Sequence, residues 1–416
     1  MIWIEEPLVF DADFHRDPYR VYDRLRGQEP VQRVKVSSRG HHTWLITGYA
    51  QARAALTDPR LSRDTRRFGH LFGDRRDIAP ALRDSMLATD PPDHTRLRRL
   101  AAPAFTASAV DRLRPRIQQI TDQLLGAIAP KGAADLINEF AVPLPVTVIC
   151  ELLGVPEHDR PQLRRWSNAL FTTADAATRD QAAHHINDTM AVLVAHRLHR
   201  FETGAAHQGE DGDLLDALIT ARANGDLLNQ QELVSLAVLL LIAGHETTTN
   251  LIGNAVLALL LHPAQHTAIA DHTVSDSDGL VPAIEEFLRY DSPLGIATVR
   301  FTTCPVAFGP VTIPAEQIVM ISLGAANRDP AHFTDPSALD LTRTRPRQGH
   351  LAFGHGPHYC LGSGLARTEA HIALTGILRH LPHLHLDTRP QQLAWRPSRM
   401  MRGLLTLPVR WQPHTR

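Results

Sequence analysis

The sequence predicts a mainly α-helical fold, one domain over residues 1–416 with small β-sheet regions beside a helical body. From about Asp93 to Leu260 apolar residues recur at helical spacing, broken by turns at Ala129-Pro130-Lys131-Gly132 and Gly154-Val155-Pro156. Within that stretch one unusually long helix is predicted from Gln230 to Leu261, roughly 48 Å at a rise of 1.5 Å per residue. Beyond Pro293 the pattern changes to short runs of β-formers, with no internal repeat and no low-complexity linker.

The elements follow in chain order. Val31–Val36 and Thr43–Thr47 flank Ser37-Ser38-Arg39-Gly40 and read as a small hairpin. After the helical body, Thr298–Phe301, Val311–Ile313 and Ile318–Ser322 are strand-like. An irregular Pro/Arg/Asp-rich stretch runs from Asn327 to Gly349. A helix is predicted over Leu361 to Leu381, and Leu404–Val409 returns to a strand pattern.

A formal net charge of −1 and 43% hydrophobic residues give no bias toward nucleic acid or an anionic membrane surface. The three cysteines, Cys150, Cys304 and Cys360, are scattered and odd in number, which argues against a disulfide framework and fits a reducing cytoplasm. The first residues lack a basic segment followed by an apolar one, so no signal peptide is expected. The strongest apolar run, Leu236 to Ala243, is far shorter than the ~20 residues of a membrane span. A cytoplasmic protein without membrane or nucleic-acid partners is expected.

The long helix has its own start and stop signals. Asn229 followed three residues later by Glu232 is a capping-box pattern, and His262-Pro263 ends the run. Its middle, Leu239 to Asn250, passes from leucines into Ala-Gly-His-Glu-Thr-Thr-Thr-Asn. Gly costs ~1 kcal/mol in a helix interior, and Thr hydroxyls compete for carbonyls of the preceding turn, so a local opening of the helix ladder is predicted. A kinked core helix with satisfied threonines is one reading. A zinc protease is another, but His245-Glu246 lacks the second histidine because position 249 is Thr. The third is an acid–alcohol pair, Glu246 and Thr247, that relays protons to bound dioxygen.

Phe353 to Gly362 reads Phe-Gly-His-Gly-Pro-His-Tyr-Cys-Leu-Gly. Glycines at 354 and 356 with Pro357 make a tight turn that presents Cys360 just ahead of a helix, where backbone N–H groups favour a thiolate. Three readings compete: a buried free cysteine, a zinc site with His355 and His358, and a thiolate donating to a haem iron. The zinc reading lacks a Cys-x-x-Cys partner pair, and three ligands within six residues rarely close a tetrahedron.

Together these segments resemble the cytochrome P450 family, in its soluble bacterial members, over nearly the whole chain. Phe353, Gly356, His358, Cys360 and Gly362 fit the family's cysteine signature. Ala243-Gly244-His245-Glu246-Thr247-Thr248 is similar to its oxygen-binding helix motif. Glu286-Phe287-Leu288-Arg289 is similar to its Glu-x-x-Arg helix, with Arg343 where the third member of that ion network is placed. Asp90 to Arg99 resembles its propionate-binding helix start.

The resemblance implies a single-domain P450-like fold holding haem b (iron protoporphyrin IX), with Cys360 as axial ligand to the iron. The cofactor-binding residues it implies are His94, Arg98, Ala243, Gly244, Arg300, Phe353, Gly354, His358, Cys360 and Gly362. Among these His94, Arg98, Arg300 and His358 are the propionate partners. Glu246 and Thr247 are the catalytic pair, and Glu286, Arg289 and Arg343 a structural ion network. By position Leu87, Leu170, Phe171, Ala243, Leu294, Ile296 and Met400 wall a pocket for a mostly apolar substrate. The implied reaction inserts one oxygen atom from O2, as hydroxylation or epoxidation, in secondary-metabolite biosynthesis.

Electrons come from outside, since no dinucleotide-binding unit is visible; a ferredoxin and its reductase are the implied donors to a monomer. Arg96, Arg99 and Arg345 are expected on the docking face. Coupling, dehydration or peroxide-driven chemistry on the same fold is the enzymatic alternative. A haem-based ligand sensor is the non-catalytic one, and it has no need of Glu246-Thr247.

Overall fold

The computed structural model describes residues 8–36, 42–72, 79–171, 175–204, 213–223, 228–275, 279–343 and 348–413. By the density of internal contacts the chain divides into two compact units. The first comprises Met1–Ser62, Pro115–Leu144 and Thr247–Arg416; the second comprises Arg63–Arg114 and Pro145–Glu246.

The strands described are β1 (Val31–Lys35), β2 (His42–Ile46), β3 (Leu61–Ser62), β4 (Ala133–Asp135), β5 (Arg300–Thr302), β6 (Val306–Phe308), β7 (Val311–Ile313), β8 (Ile318–Ile321), β9 (His385–Leu386) and β10 (Pro408–Arg410). All lie in the first unit. The hairpin of β1 and β2 is antiparallel, with Val31 opposite Ile46 and Lys35 opposite His42. It grows into a five-stranded sheet in the order β1-β2-β8-β5-β3, in which β2 and β8 run parallel. Alternation along β2 splits its side chains: Trp44 and Ile46 join a core with Leu56, Phe333 and Leu351, while Leu45 joins one with Phe14, Tyr22 and Leu25.

Two features inside the predicted helical body differ from expectation. β4 pairs with β10, with Ala134 opposite Val409, and a π-helical turn follows at Ile137–Ala141. A three-residue strand carries no usable periodicity, and its partner lies more than 250 residues away.

The helix Gln230–Leu261 is 32 residues long. Its capping box is reciprocal: Glu232 N–H donates to Asn229 Oδ1 at 2.9 Å, and Asn229 N–H donates to Glu232 Oε2 at 2.9 Å. The predicted opening of its ladder does not occur; the helix is continuous. The residues that prompted the expectation are spent on packing. Thr249 Oγ1 donates to Ala141 O at 3.1 Å instead of to its own helix. A Cβ on Gly244 would stand 2.8 Å from Ile149 Cγ1, so Gly is needed for close approach and not for a hinge. By length and composition this helix could cross a membrane, but it is mostly buried and serves as a core helix.

In the first unit the site-bearing helices are Tyr49–Thr57, Leu280–Tyr290 and Ser363–His380. In the second they are Asp93–Ala101, Arg160–Phe171 and Ala176–Glu202.

Candidate functional site

The cysteine turn is built by left-handed glycines and backbone hydrogen bonds. Gly354 has φ 73° and Gly356 φ 74°. Gly354 N–H donates to Leu351 O at 2.8 Å, Tyr359 N–H to Gly356 O at 3.0 Å, and Cys360 N–H to Phe353 O at 2.9 Å. Cys360 is half-buried, and the helix after it begins at Ser363, two residues later than predicted. The turn rests on the helix Tyr49–Thr57, because a Cβ on Gly356 would meet Thr57 Cγ2 at 2.8 Å and Leu56 O at 3.0 Å. Gly356→Ala is therefore expected to cost about 1–3 kcal/mol of stability, measured by denaturant unfolding. An unchanged midpoint would mean that the left-handed turn is not a constraint.

Burial and the nearby Arg53 push His355 below the usual imidazole range. Among the described residues no group of three His, Cys, Asp or Glu is placed to hold a metal ion, so the zinc reading finds no ligand set there. Cys150 is buried, which pushes its thiol up to about 11 and leaves it inert.

On the helix Leu280–Tyr290, Glu286 and Arg289 form a buried bidentate pair, with Nε–Oε2 and Nη2–Oε1 both 2.7 Å. Arg343 Nε donates to Glu286 Oε1 at 3.2 Å, and Asp340 N–H donates to the same oxygen at 3.0 Å. The rest of the Arg289 fork donates to Asn327 O (3.1 Å), Pro336 O (2.7 Å) and Ala338 O (2.9 Å). The network thus anchors the irregular stretch after Asn327. Arg300, at the start of β5, is buried and donates over long distances to Leu56 O (3.4 Å) and Leu61 O (3.5 Å).

Sequence reasoning missed the neighbouring carboxylate. Glu285 Oε1 and Oε2 accept from Arg367 Nε and Nη2 at 2.6 and 3.0 Å, and His350 Nε2 lies 3.2 Å from Oε2. The Arg367 guanidinium also covers the Phe353 ring at 4.5 Å. No local pattern signals this pair, since its members are 82 residues apart.

In the second unit, the helix Asp93–Ala101 buries His94, Leu97 and Leu100 on one face. His94 N–H donates to Asp90 O at 3.0 Å. Burial, with the Arg98 and Arg63 guanidiniums beside it, pushes His94 below the usual imidazole range, so its ring is neutral at physiological pH. Arg98 is half-buried, one turn along from His94. Arg96, expected on a docking face, is partly exposed and pairs with Glu232. Arg99 is exposed, and Arg345 lies outside the described residues.

Along the long helix Leu239–Ile242 and Thr248–Asn250 are buried, yet Ala243 is exposed and Gly244 and Thr247 are partly so. The i, i+1, i+4 spacing places these three on one face. His245 is turned inward, its Nδ1 2.7 Å from Leu241 O and its Nε2 3.5 Å from Glu246 Oε1; Glu246 is also buried. Of the predicted wall residues, Leu87, Leu170, Phe171, Leu294 and Met400 are partly exposed and Ala243 exposed. Ile296 is 2% exposed and offers a ligand no surface. Gly295 N–H donates to Met400 O at 2.8 Å, which ties two of these segments together.

Each unit by itself carries groups that suit a haem: the first a thiol in a preformed turn, the second a bare Ala243-Gly244 helix face and a buried histidine beside an arginine for carboxylates. The family model for cytochrome P450 matches residues 146–410. The chain is 45% identical to cytochrome P450 107B1 of Saccharopolyspora erythraea, covering 98% of each protein. It is 44% identical to the cytochrome P450 monooxygenase PikC of Streptomyces venezuelae, over 96% of this chain and 92% of PikC. The solved structure of the tirandamycin C-bound P450 monooxygenase TamI is similar at TM-score 0.87 and 42% identity, over 98% of this chain and 100% of TamI. The chain belongs to the cytochrome P450 family: it is a mainly α haem-thiolate monooxygenase that takes haem b and uses O2 with externally supplied electrons.

Proposed function

We propose that this protein hydroxylates or epoxidises a macrolide-like polyketide product late in its biosynthesis. The observation that carries the substrate class is the naming of its relatives, a 6-deoxyerythronolide B hydroxylase and a mycinamicin IV hydroxylase/epoxidase, each 40% identical over more than nine-tenths of this chain. The aliphatic character of Leu87, Leu170, Leu294 and Met400 supports it, because a large apolar ligand is held mainly by such surface.

Haem b, when bound, supplies a redox-active iron at which O2 is reduced and one oxygen atom is passed to the substrate. Cys360 ligates it through sulfur, from a turn that Phe353, Gly354 and Gly362 shape. His94, Arg98, Arg300 and His358 hold its propionates by charge-assisted hydrogen bonds. Ala243 and Gly244 leave the helix face low enough for a flat ring. Thr247 Oγ1 holds a proton at the oxygen site, and the Glu246 carboxyl replenishes it. The protein works as a monomer in the cytoplasm, its 416 residues acting as one functional domain. A ferredoxin with its reductase supplies the electrons.

Titrating the haem-loaded protein with a panel of macrolactones and sterols tests the substrate class. A shift from low to high spin with a macrolactone is expected, and shifts with sterols alone would overturn it. Thr247→Ala is expected to lower product formed per electron roughly tenfold or more while leaving that spin shift intact. Full coupling in this variant would remove the proton relay.

A further inference from the structure

We propose that Glu285 and Arg367 form a clip that holds the Cys360 turn in one geometry and so sets the donor strength of its sulfur. The proposal rests on the haem-thiolate reading of Cys360, and the two residues are positioning residues that act through the turn.

The contacts of Arg367 bracket the cysteine from both sides in sequence. Its guanidinium lies over the Phe353 ring at 4.5 Å, and Phe353 O is the acceptor of the Cys360 N–H. It meets the hydroxyl of Tyr359, the residue before the cysteine. Its Nη1 donates to Ser363 O at 3.3 Å, at the first residue of the following helix. One rigid planar group therefore touches the start of the turn, its last residue and the helix it feeds.

What holds that group still is Glu285. The bidentate pair fixes the plane of the fork as well as its distance, which a lysine could not do. Burial works against the Glu285 carboxylate, but the His350 ring 3.2 Å away and the hydrogen bonds from Arg367 outweigh it and hold the carboxyl far below its usual range. The pair is ionised at every working pH. His350 closes the bracket with its ring 6.1 Å from that of Phe353. Successive residues on a helix point about 100° apart, so Glu286 serves the 327–340 segment while Glu285 serves the cysteine turn. A thiolate's donor strength depends on burial and on the groups that orient it, and the clip controls both.

The test uses Arg367→Leu, Arg367→Lys and Glu285→Gln in the full-length protein. Hydrogen exchange at the Cys360 amide, read in haem-free and haem-loaded protein, should lose about tenfold in protection in Arg367→Leu. The reduction equilibrium of the loaded protein should shift by up to about tenfold, 59 mV for one electron, with partial recovery in Arg367→Lys. Unchanged exchange and potential in a folded variant, or lower global stability with an unchanged potential, would overturn the clip. If Arg367→Leu does not fold, the near-isosteric Glu285→Gln decides by the same two readings. A wild-type carbonyl spectrum without the thiolate band would instead refute the haem-thiolate reading, and exchange in the haem-free protein would still decide the clip.

Discussion

Cys360→Ser is expected to abolish the red-shifted band of the reduced carbonyl complex and to lower oxygenation by about three orders of magnitude or more, some 4 kcal/mol at 1.36 kcal/mol per decade. The substitution is close to isosteric, and the Cys360 amide bond to Phe353 O belongs to the backbone, so the turn survives. What is lost is chemical: a hydroxyl stays protonated and donates weakly where a thiolate donates strongly. Neither remaining cysteine is a substitute. Cys150 is buried with its thiol raised to about 11, and Cys304 sits after β5, outside the glycine turn. The reduced carbonyl difference spectrum is the direct measurement. An unchanged band would refute the axial assignment, whatever happens to turnover.

The second large effect is structural. Truncating Arg289 to Ala is expected to cost about 3–5 kcal/mol, because it leaves the Glu286 carboxylate buried without its principal counter-charge. The carbonyls of Asn327 and Pro336 lose their Arg289 donor at the same time, and that of Ala338 keeps only Arg343 Nη2. The Arg343 bond at 3.2 Å comes from a single Nε and does not replace a bidentate fork. Replacing both members, as Glu286→Gln with Arg289→Met, should cost less than Arg289→Ala alone, since no buried carboxylate is then stranded. Denaturant unfolding with haem retention as a second probe measures both. Equal stability of wild type and Arg289→Ala would mean that the pair contributes nothing net.

Both predictions concern motifs that are legible in the sequence. The turn around Cys360 announces itself through Gly354 and Gly356, and the structure gives both residues positive φ. The long helix carries its boundaries in Asn229, Glu232 and Pro263, and the structure ends it at the same residues. β7 at Val311–Ile313 is likewise where its β-formers placed it. These are short-range effects, decided by a residue and its neighbours within one turn.

Other features depended on partners far along the chain. Arg96 reads as a surface arginine until Glu232, 136 residues away, takes it up. Gly244 and Thr249 read as helix breakers, but Ile149 and Ala141 use them for packing and hydrogen bonding and the ladder stays closed. β4 exists only because β10 lies beside it. Ile296 has the apolar character of a pocket wall and is nonetheless consumed by the core.

The sequence by itself determined the family resemblance that implies the reaction class, through the cysteine turn, the Glu246-Thr247 pair and the Glu286-Arg289 pair. Those signals are local because the chemistry demands particular residue types at fixed spacing. Only the tertiary structure decided that Arg367 covers Phe353, that Glu285 holds it there, and that burial, with Arg98 and Arg63 beside it, pushes His94 below the usual imidazole range. Burial and charge pairing are properties of neighbours in space, and for these residues the neighbours that matter lie mostly on other elements of the fold.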